Sequence, residues 1–360
     1  MTQRERQILQ WIESDPMISQ AELAQRLGIT RSSVAVHISN LIKKGHIAGK
    51  GYVLRTGTYA VVVGGVNMDI GGTSWGPLVS EDSNPGMVTM SLGGVGRNIA
   101  HNLCLMGTDV HLLTAYGEDL YGQQIAASCS ELGIDISHAL RLSDCRTSTY
   151  LYINDDRGDM ALAVSDMSIC DRITPEYLAA NLRLLNNAQV VITDTNIPAE
   201  SLRWLAENVS VPIFCDPVST IKAEKVRPVL GKLHTLKPNK IEAELLSGVP
   251  IRTDADLEKA ARALLDTGLR RVFISLGADG VFAATHSECR RIPNMPVKLV
   301  NTTGCGDAFM AALVWAYLEG TDLEGTMKAG LAASSIAIET TQTINPAMCE
   351  ELLMERIKLC

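Results

Sequence analysis

Aromatic residues are scarce in this chain: Phe, Trp and Tyr together make up 4% of its 360 residues. Its interior must therefore be built from aliphatic side chains, and hydrophobic residues as a whole reach 46%, enough for a large core without covalent staples. No apolar run approaches the ~18–20 residues that a membrane-spanning helix needs, and the N-terminus lacks the apolar stretch of a secretory leader. The nine cysteines are odd in number and none falls in a C-x-x-C pair. This argues against a disulfide framework or a structural zinc, and for a reducing compartment. A cytoplasmic protein with no membrane partner is expected. Internal repeats and low-complexity segments are also missing.

Charge is present but unevenly spread. The net charge is −8, yet residues 1–57 hold eight Lys/Arg against four Asp/Glu, a balance of +4, and the remainder stands at −12. A basic head on an acidic body places any nucleic-acid contact at the front. Within that head, Ile8, Leu9, Trp11 and Ile12 share one helical stripe. Ser19, with Glu22 three residues on, has the pattern of a capping box. Gly28 closes the second helix, Thr30 caps a third from Arg31 to Lys44, and Gly45 ends it. His46–Leu54 reads as a hairpin turning at Gly49-Lys50-Gly51. Helix, glycine turn, helix and wing resemble the winged helix-turn-helix of bacterial regulators. That resemblance implies a second helix in the DNA major groove, with Arg31, Ser32, Ser33 and His37 near base edges and Lys43, Lys44 and Lys50 at phosphates. A small packing or dimerisation module is the alternative. Residues 1–57 are taken as this domain, with Thr56-Gly57-Thr58 as linker.

From residue 58 to 360, short β-branched runs alternate with helical stretches. Tyr59–Gly64, Val110–Thr114, Val190–Thr193, Val211–Cys215, Leu233–Leu236 and Arg271–Ser275 read as buried parallel strands of an α/β layered fold. Ligands bind such sheets beyond the carboxyl ends of the strands. Residues 69–92 and 145–165 break the rhythm and read as antiparallel strands, a small β-lid off the main sheet.

Five motifs carry chemistry. Asn301-Thr-Thr-Gly-Cys-Gly-Asp307 opens an apolar helix. Its turn, Gly304-Cys305-Gly306, presents free N–H groups and the positive end of a helix dipole, which suits a transferring phosphoryl group. Asp307 stands where it can take the proton of an attacking hydroxyl, although a capping Asp has the same look. Leu92-Gly-Gly-Val-Gly-Arg-Asn98 opens another helix; Gly93 and Gly94 permit close approach, and Asn98 offers a donor and an acceptor. In Gly64-Gly-Val-Asn-Met-Asp69, Asn67 and Asp69 suit vicinal hydroxyls, or a strand-end Asx turn. In Lys237-Pro-Asn-Lys-Ile-Glu242, Asn239 and Glu242 could hold magnesium through water, or form a capping box. Ser275-Leu-Gly-Ala-Asp-Gly280 is a turn that could line a nucleotide through Ser275, Gly277 and Gly280.

In this order, the five motifs resemble the PfkB (ribokinase-like) carbohydrate-kinase family over roughly residues 59–345. The resemblance implies a Rossmann-like ribokinase fold with a β-sheet lid, ATP and Mg²⁺ as cofactors, and a primary hydroxyl as acceptor. It makes Asp307 the base, Gly304, Cys305 and Gly306 the anion hole, and Lys237 and Thr303 neighbours of the nucleotide. Asp82–Gly86, Gly93–Ala100, Asp166-Met167, Asp216–Ser219, His234–Asn239 and Asn301–Gly304 are similar to the pseudouridine-phosphorylating branch. That places Asp166 beside the nucleobase and implies a 5′-hydroxyl acceptor. Cys305 stands where Ala is usual. Asn301 replaces an Asp that helps bind potassium in many relatives, which leaves potassium activation open. Other readings are a kinase for inosine, uridine or a plain sugar, and a nucleoside-sensing transcription regulator. By analogy with the family's lids and with winged helices, a homodimer is expected.

Overall fold

The computed structural model describes residues 2–15, 18–44, 46–47 and 59–360. The chain divides into two compact units, 1–58 and 59–360. Among its described residues the first holds three helices, α1 (Gln3–Ser14), α2 (Gln20–Leu27) and α3 (Arg31–Lys43). Ile8, Ile12, Leu23, Val34, Ile38 and Leu41 form its core, with Trp11, Leu27 and Ile29 packed partly against it. Ser19 and Thr30 cap α2 and α3, and Gly28 ends α2 in the left-handed region at φ +62°. Glu22 departs from the capping-box expectation: its carboxylate pairs with Arg26 one turn on, at 2.8 Å. Gly45, the turn Gly49-Lys50-Gly51 and the linker Thr56-Gly57-Thr58 lie outside the described residues, and with them most of the expected wing.

The second unit begins with β1 (Tyr59–Val63), β2 (Asn67–Ser74), β3 (Gly86–Gly93), α4 (Val95–Leu105) and β4 (Asp109–Leu113). Then come β5 (Ala115–Gly117), α5 (Leu120–Leu132), β6 (Leu140–Leu142), β7 (Thr149–Asn154) and β8 (Met160–Asp166). The chain continues through α6 (Pro175–Ala180), α7 (Leu182–Asn187), β9 (Val190–Asp194), α8 (Ala199–Asn208), β10 (Ile213–Asp216), α9 (Thr220–Ala223) and β11 (Thr235–Leu236). It closes with α10 (Lys240–Ser247), α11 (Asp254–Leu265), β12 (Arg271–Ser275), β13 (Val281–Thr285), β14 (Cys289–Ile292), α12 (Cys305–Leu318), α13 (Leu323–Ala337) and α14 (Glu350–Ile357).

The main sheet has eight strands in the order β14-β13-β12-β11-β10-β9-β1-β4. All pairs from β12 to β4 are parallel; β13 and β14 extend the sheet as an antiparallel hairpin. Apolar clusters cover both faces, as a parallel sheet requires. One cluster gathers α4, α12 and α13, and the other gathers α8, α10 and α11. Helix α12 is buried nearly all round, which explains an apolar run with no polar stripe.

The lid is a four-stranded sheet, β3-β2-β7-β8. Its outer pairs are antiparallel, but its central pair, β2 with β7, is parallel, which corrects the all-antiparallel expectation. Both central strands start side by side at the main sheet, where Met68 N–H donates to Ser148 O at 2.9 Å. Two adjacent strands that start side by side and run in the same direction pair in parallel.

Candidate active site

The strand ends of β1, β9, β10 and β11 meet at a buried polar floor. Gly64 and Gly65 end β1, and the space a Gly64 side chain would need is filled: its Cβ would lie 2.4 Å from Asp194 Oδ2. That same oxygen accepts from Gly65 N–H at 2.9 Å. Beyond, Asn67 Nδ2 donates to Asp69 Oδ1 at 2.6 Å. Burial raises the Asp69 carboxyl, while Asn67 and then Arg97 oppose the shift. Gly93 is needed for this pair, since a Cβ there would fall 2.1 Å from Asp69 Oδ2. Gly94, at φ +99°, passes against the Gly65 carbonyl, which a Cβ would meet at 2.5 Å.

Helix α4 starts immediately after and carries Asn98 inward. Asn98 Nδ2 donates to Asp307 Oδ2 at 2.8 Å, across 209 residues of chain. Its Oδ1 is buried with no partner among the described residues, so an acceptor stands ready for a ligand hydroxyl. Asp307 lies in the first turn of α12, after Gly304 at φ +82°. Burial, then the nearby Asp216, push its carboxyl up to about 7, against the pull of Asn98 and Lys237. Such a carboxylate can accept a proton near neutral pH. The α12 N-terminus has no side-chain cap, and the Cys305 N–H turns back to Thr302 O at 3.3 Å. The free dipole end is therefore presented by the first-turn N–H groups of Gly306 and Asp307. Burial pushes the Cys305 thiol up to about 11.

Lys237, just after β11, is 6% exposed and its Nζ lies 3.0 Å from Asp216 Oδ2. A Cβ on Gly306 would come within 3.4 Å of that ammonium, so the cation sits at the glycine turn. Lys237 also lines a cleft of about 540 Å³ that Ser275, Gly277 and Gly280 border on one side and Cys305 and Gly306 on another. Its lining also includes the apolar side chains of Phe309, Leu331 and Ile338. A cleft with an apolar wall and a cationic, amide-rich end fits a nucleotide. Thr302, not Thr303, lines it; Thr303 is exposed and its N–H donates to Asn301 Oδ1. Asn301 Nδ2 donates to Thr341 O at 3.2 Å.

Asn239 and Glu242 form the capping box: each side chain accepts from the other's backbone N–H, at 2.9 and 2.8 Å. Glu242 Oε1 stays outside that box. No group of three or more His, Cys, Asp or Glu among the described residues is placed to hold a metal ion. A magnesium ion would therefore rely on Glu242 Oε1, water and phosphate oxygens, a ligand set that suits it. Asp166, at the end of β8, is exposed and accepts from both the N–H and the hydroxyl of Ser168.

In the first unit, Arg31, Ser32 and Lys43 are exposed on α3. The Ser32 and Ser33 hydroxyls both meet Thr30 Oγ1, at 2.9 and 2.8 Å, within the cap. His37 is half-buried, and its Nδ1 has no partner among the described residues. Lys44 corrects an expectation. Its ammonium bonds both oxygens of the buried Glu5, at 3.1 and 2.9 Å, and so belongs to the fold of the unit. Lys50 lies outside the described residues.

Motif reading assigns no role to Asp194, Asn196, Asp216 or Lys222. Only the Asp-Pro pair at the end of β10 hints at one of them, and Val218 just beyond it takes φ +64°.

Comparison with known proteins identifies the family. The pfkB family of carbohydrate kinases matches residues 57–349, and the winged helix-turn-helix DNA-binding family matches residues 1–47. An uncharacterised sugar kinase of Escherichia coli is 39% identical over 97% of both chains. The pseudouridine kinase of the same organism is 39% identical over 81% of this chain and 94% of its own. The ribokinase of Arabidopsis thaliana, solved with ribose and ATP, shares the fold with a TM-score of 0.76 at 22% identity, over 84% of this chain and 99% of its own. With its ribokinase-type sheet, lid and glycine-flanked Asp307, the chain belongs to the pfkB family of carbohydrate kinases, phosphotransferases with an alcohol acceptor, and carries a winged helix-turn-helix domain in front.

Proposed function

We propose that this protein phosphorylates the 5′-hydroxyl of a nucleoside, pseudouridine before others, at the expense of ATP. The observation that carries the reading is the Asn98–Asp307 pair beside the Gly304–Gly306 turn. The likeness to a pseudouridine kinase supports a nucleoside acceptor. Bound ATP would supply the γ-phosphoryl group and leave as ADP, with magnesium offsetting phosphate charge near Glu242.

The chain's own residues do the rest. Asn67 and Asp69 hold the sugar hydroxyls, within the loop made by Gly93 and Gly94. Asn98 orients Asp307, which takes the proton as the acceptor oxygen forms its bond to phosphorus. The free N–H groups of Gly306 and Asp307, which the Gly304-Cys305-Gly306 turn presents, and Lys237 face the charge that gathers on the phosphoryl oxygens. Ser275, Gly277 and Gly280 border the nucleotide.

Residues 1–57 are assigned to DNA, through Arg31, His37 and Lys43 on α3 and Lys50, and residues 58–360 to the kinase. The lid's edge strands expose Met87, Val88, Met160 and Leu162, an apolar surface that supports a homodimer. No helix among the described residues is long and apolar enough to cross a membrane, and the reading places the protein in the cytoplasm.

The test is ADP release with MgATP across pseudouridine, uridine, inosine, ribose and fructose. The expected result is a preference for pseudouridine that Asp307→Asn abolishes. Preference for another acceptor would reassign the substrate. Silence across the panel, together with DNA binding that responds to nucleoside, would point to a ligand-sensing regulator instead.

A further inference from the structure

One residue stitches together the two glycine loops of the sugar site. Arg97, in the first turn of α4, donates its backbone N–H to Gly65 O at 3.3 Å. Its guanidinium reaches back to Leu92 O, at 3.4 Å, just before Gly93. It also donates to Ser128 Oγ on α5 at 2.8 Å. Arg97 is only 4% exposed, and its Nε has no partner among the described residues. A cation this deeply buried is costly unless an opposite charge offsets it.

The surroundings supply one such charge. His101, one turn further along α4, is pushed down to about 4 by burial and then by Arg97 itself, so its ring is neutral near neutral pH. Burial pushes up the Cys129 thiol on α5, against the pull of Arg97, and it too stays uncharged. Burial also lowers the Arg97 guanidinium, and Cys129 and then Asp69 oppose that shift. With the thiol neutral, the anion that acts on Arg97 is Asp69, on β2. Register neighbours of Asp69, Ser91 on β3 and Tyr150 on β7, offer hydroxyls and neither a carboxylate nor an ammonium. Between anion and cation runs the Leu92-Gly93 backbone. Asp69 lies against Gly93, and Arg97 holds Leu92 O. Charge matters at Asp69 because a carboxylate accepts two hydroxyl protons at once, whereas the neutral acid brings a proton of its own.

We propose that Arg97 is a positioning residue of the acceptor site: it clamps the Gly65 and Leu92 carbonyls and keeps Asp69 a carboxylate, able to accept both hydroxyls of a sugar diol. It acts through Asp69 and the loops, not by touching the ligand. The inference rests on the assignment of Asp69 to the sugar hydroxyls, and it holds for a nucleoside or a plain sugar alike.

The experiment is calorimetric titration of the full chain with pseudouridine and with ribose, without nucleotide, from about pH 5 to 9. It compares the native protein with Arg97→Met, Arg97→Gln, Arg97→Lys and Asp69→Asn. Affinity for a diol should fall as pH falls and Asp69 takes up its proton. In Arg97→Met that fall should begin about one pH unit higher, so that Kd rises about ten-fold at the acid end and returns to native at the alkaline end. Arg97→Gln, neutral but still a donor, should follow Arg97→Met and serves in its place should the Met variant fail to fold. Arg97→Lys, which keeps the charge, should recover most of the loss. Kd for ATP should stay native in all three. A loss of the same size at every pH, a loss that Lys does not restore, or no loss overturns the inference. Native affinity in Asp69→Asn overturns the assignment of Asp69, and the inference falls with it. A native protein that binds ribose but not pseudouridine overturns the nucleoside reading and leaves Arg97 to be judged on ribose; one that binds neither overturns both.

Discussion

Asn98 and Asp307 are 209 residues apart in sequence and 2.8 Å apart in space, and this bond works against the burial that pushes the Asp307 carboxyl up to about 7. A base must be ionised to act, so kcat/KM for the acceptor should rise with pH through about 7 and level off above it. Asn98→Ala removes a bond that favours the charged form. Its pH limb should move to higher pH, which a pH–rate profile would show. Asp307→Asn should lower kcat by ~10²–10⁴.

The same carboxyl predicts a stability effect of opposite sign. Its folded-state value lies above the ordinary 3.8, so its contribution to stability is fully present below about pH 4 and is lost as pH rises through 7. Asp307→Asn should therefore melt higher than the native protein at pH 8 and show no such gain at pH 4. Thermal melts at the two pH values check this. Equal shifts would show that the carboxyl is not held neutral by the fold.

Lys237 and Asp216 form a buried ion pair, and removing one partner leaves the other uncompensated. Asp216→Ala should cost about 3–5 kcal/mol in urea unfolding. In Lys237→Met the Asp307 carboxyl loses a cation that pulls it down. The pH limb should therefore rise while kcat falls.

Two small substitutions should part company. Gly93→Ala drives a methyl into Asp69 and should raise acceptor KM with little change in KM for ATP. Cys305→Ala removes a thiol that makes only a weak hydrogen bond, to Asn301 O at 3.9 Å, and kcat should stay near native. With that thiol pushed up to about 11, iodoacetamide at neutral pH should modify it slowly.

On α3, neighbouring lysines should behave differently. Lys43→Ala and Arg31→Ala should weaken DNA binding and flatten its salt dependence, by about one unit of slope for each phosphate no longer neutralised. Lys44→Ala should instead destabilise the first unit. The Lys44 ammonium holds the Glu5 carboxyl down to about 2. That stabilisation is present above about pH 4.5 and is lost as pH falls toward 2. Gel shifts at several salt concentrations, with melts from pH 3 to 7, separate the two effects.

Much of the site is legible where chemistry is written in consecutive residues. Gly304-Cys-Gly-Asp307 announces a tight turn feeding a helix, and α12 starts there. Gly93-Gly94 announces close approach to a ligand; what the structure shows at both is close approach within the chain, to Asp69 and to the Gly65 carbonyl. Asp194 carries no local signal, since an acid ending an apolar strand is common and its partner is elsewhere, and the Asp-Pro pair at Asp216 only hints at a role. Thr303 differs from expectation by one residue, because the direction of a side chain in a tight turn depends on dihedrals that spacing does not report. Lys44 differs for the same kind of reason: Glu5 lies 39 residues away, and a basic residue beside a candidate DNA helix looks like a phosphate ligand until its partner is seen.

Sequence alone determined the elements that depend on local periodicity and capping: the parallel strands, the helices with glycine ends, the lid as a separate sheet, and the order of the glycine loops. Tertiary structure decided everything that requires distant residues to meet. It made the lid's central pair parallel, joined Asn98 to Asp307, buried Lys237 with Asp216, and folded Lys222 onto Asn196. The reason is physical. Propensity and capping act within a few residues, whereas ion pairing, desolvation and proton affinity depend on through-space distances and burial that exist only once the chain has closed.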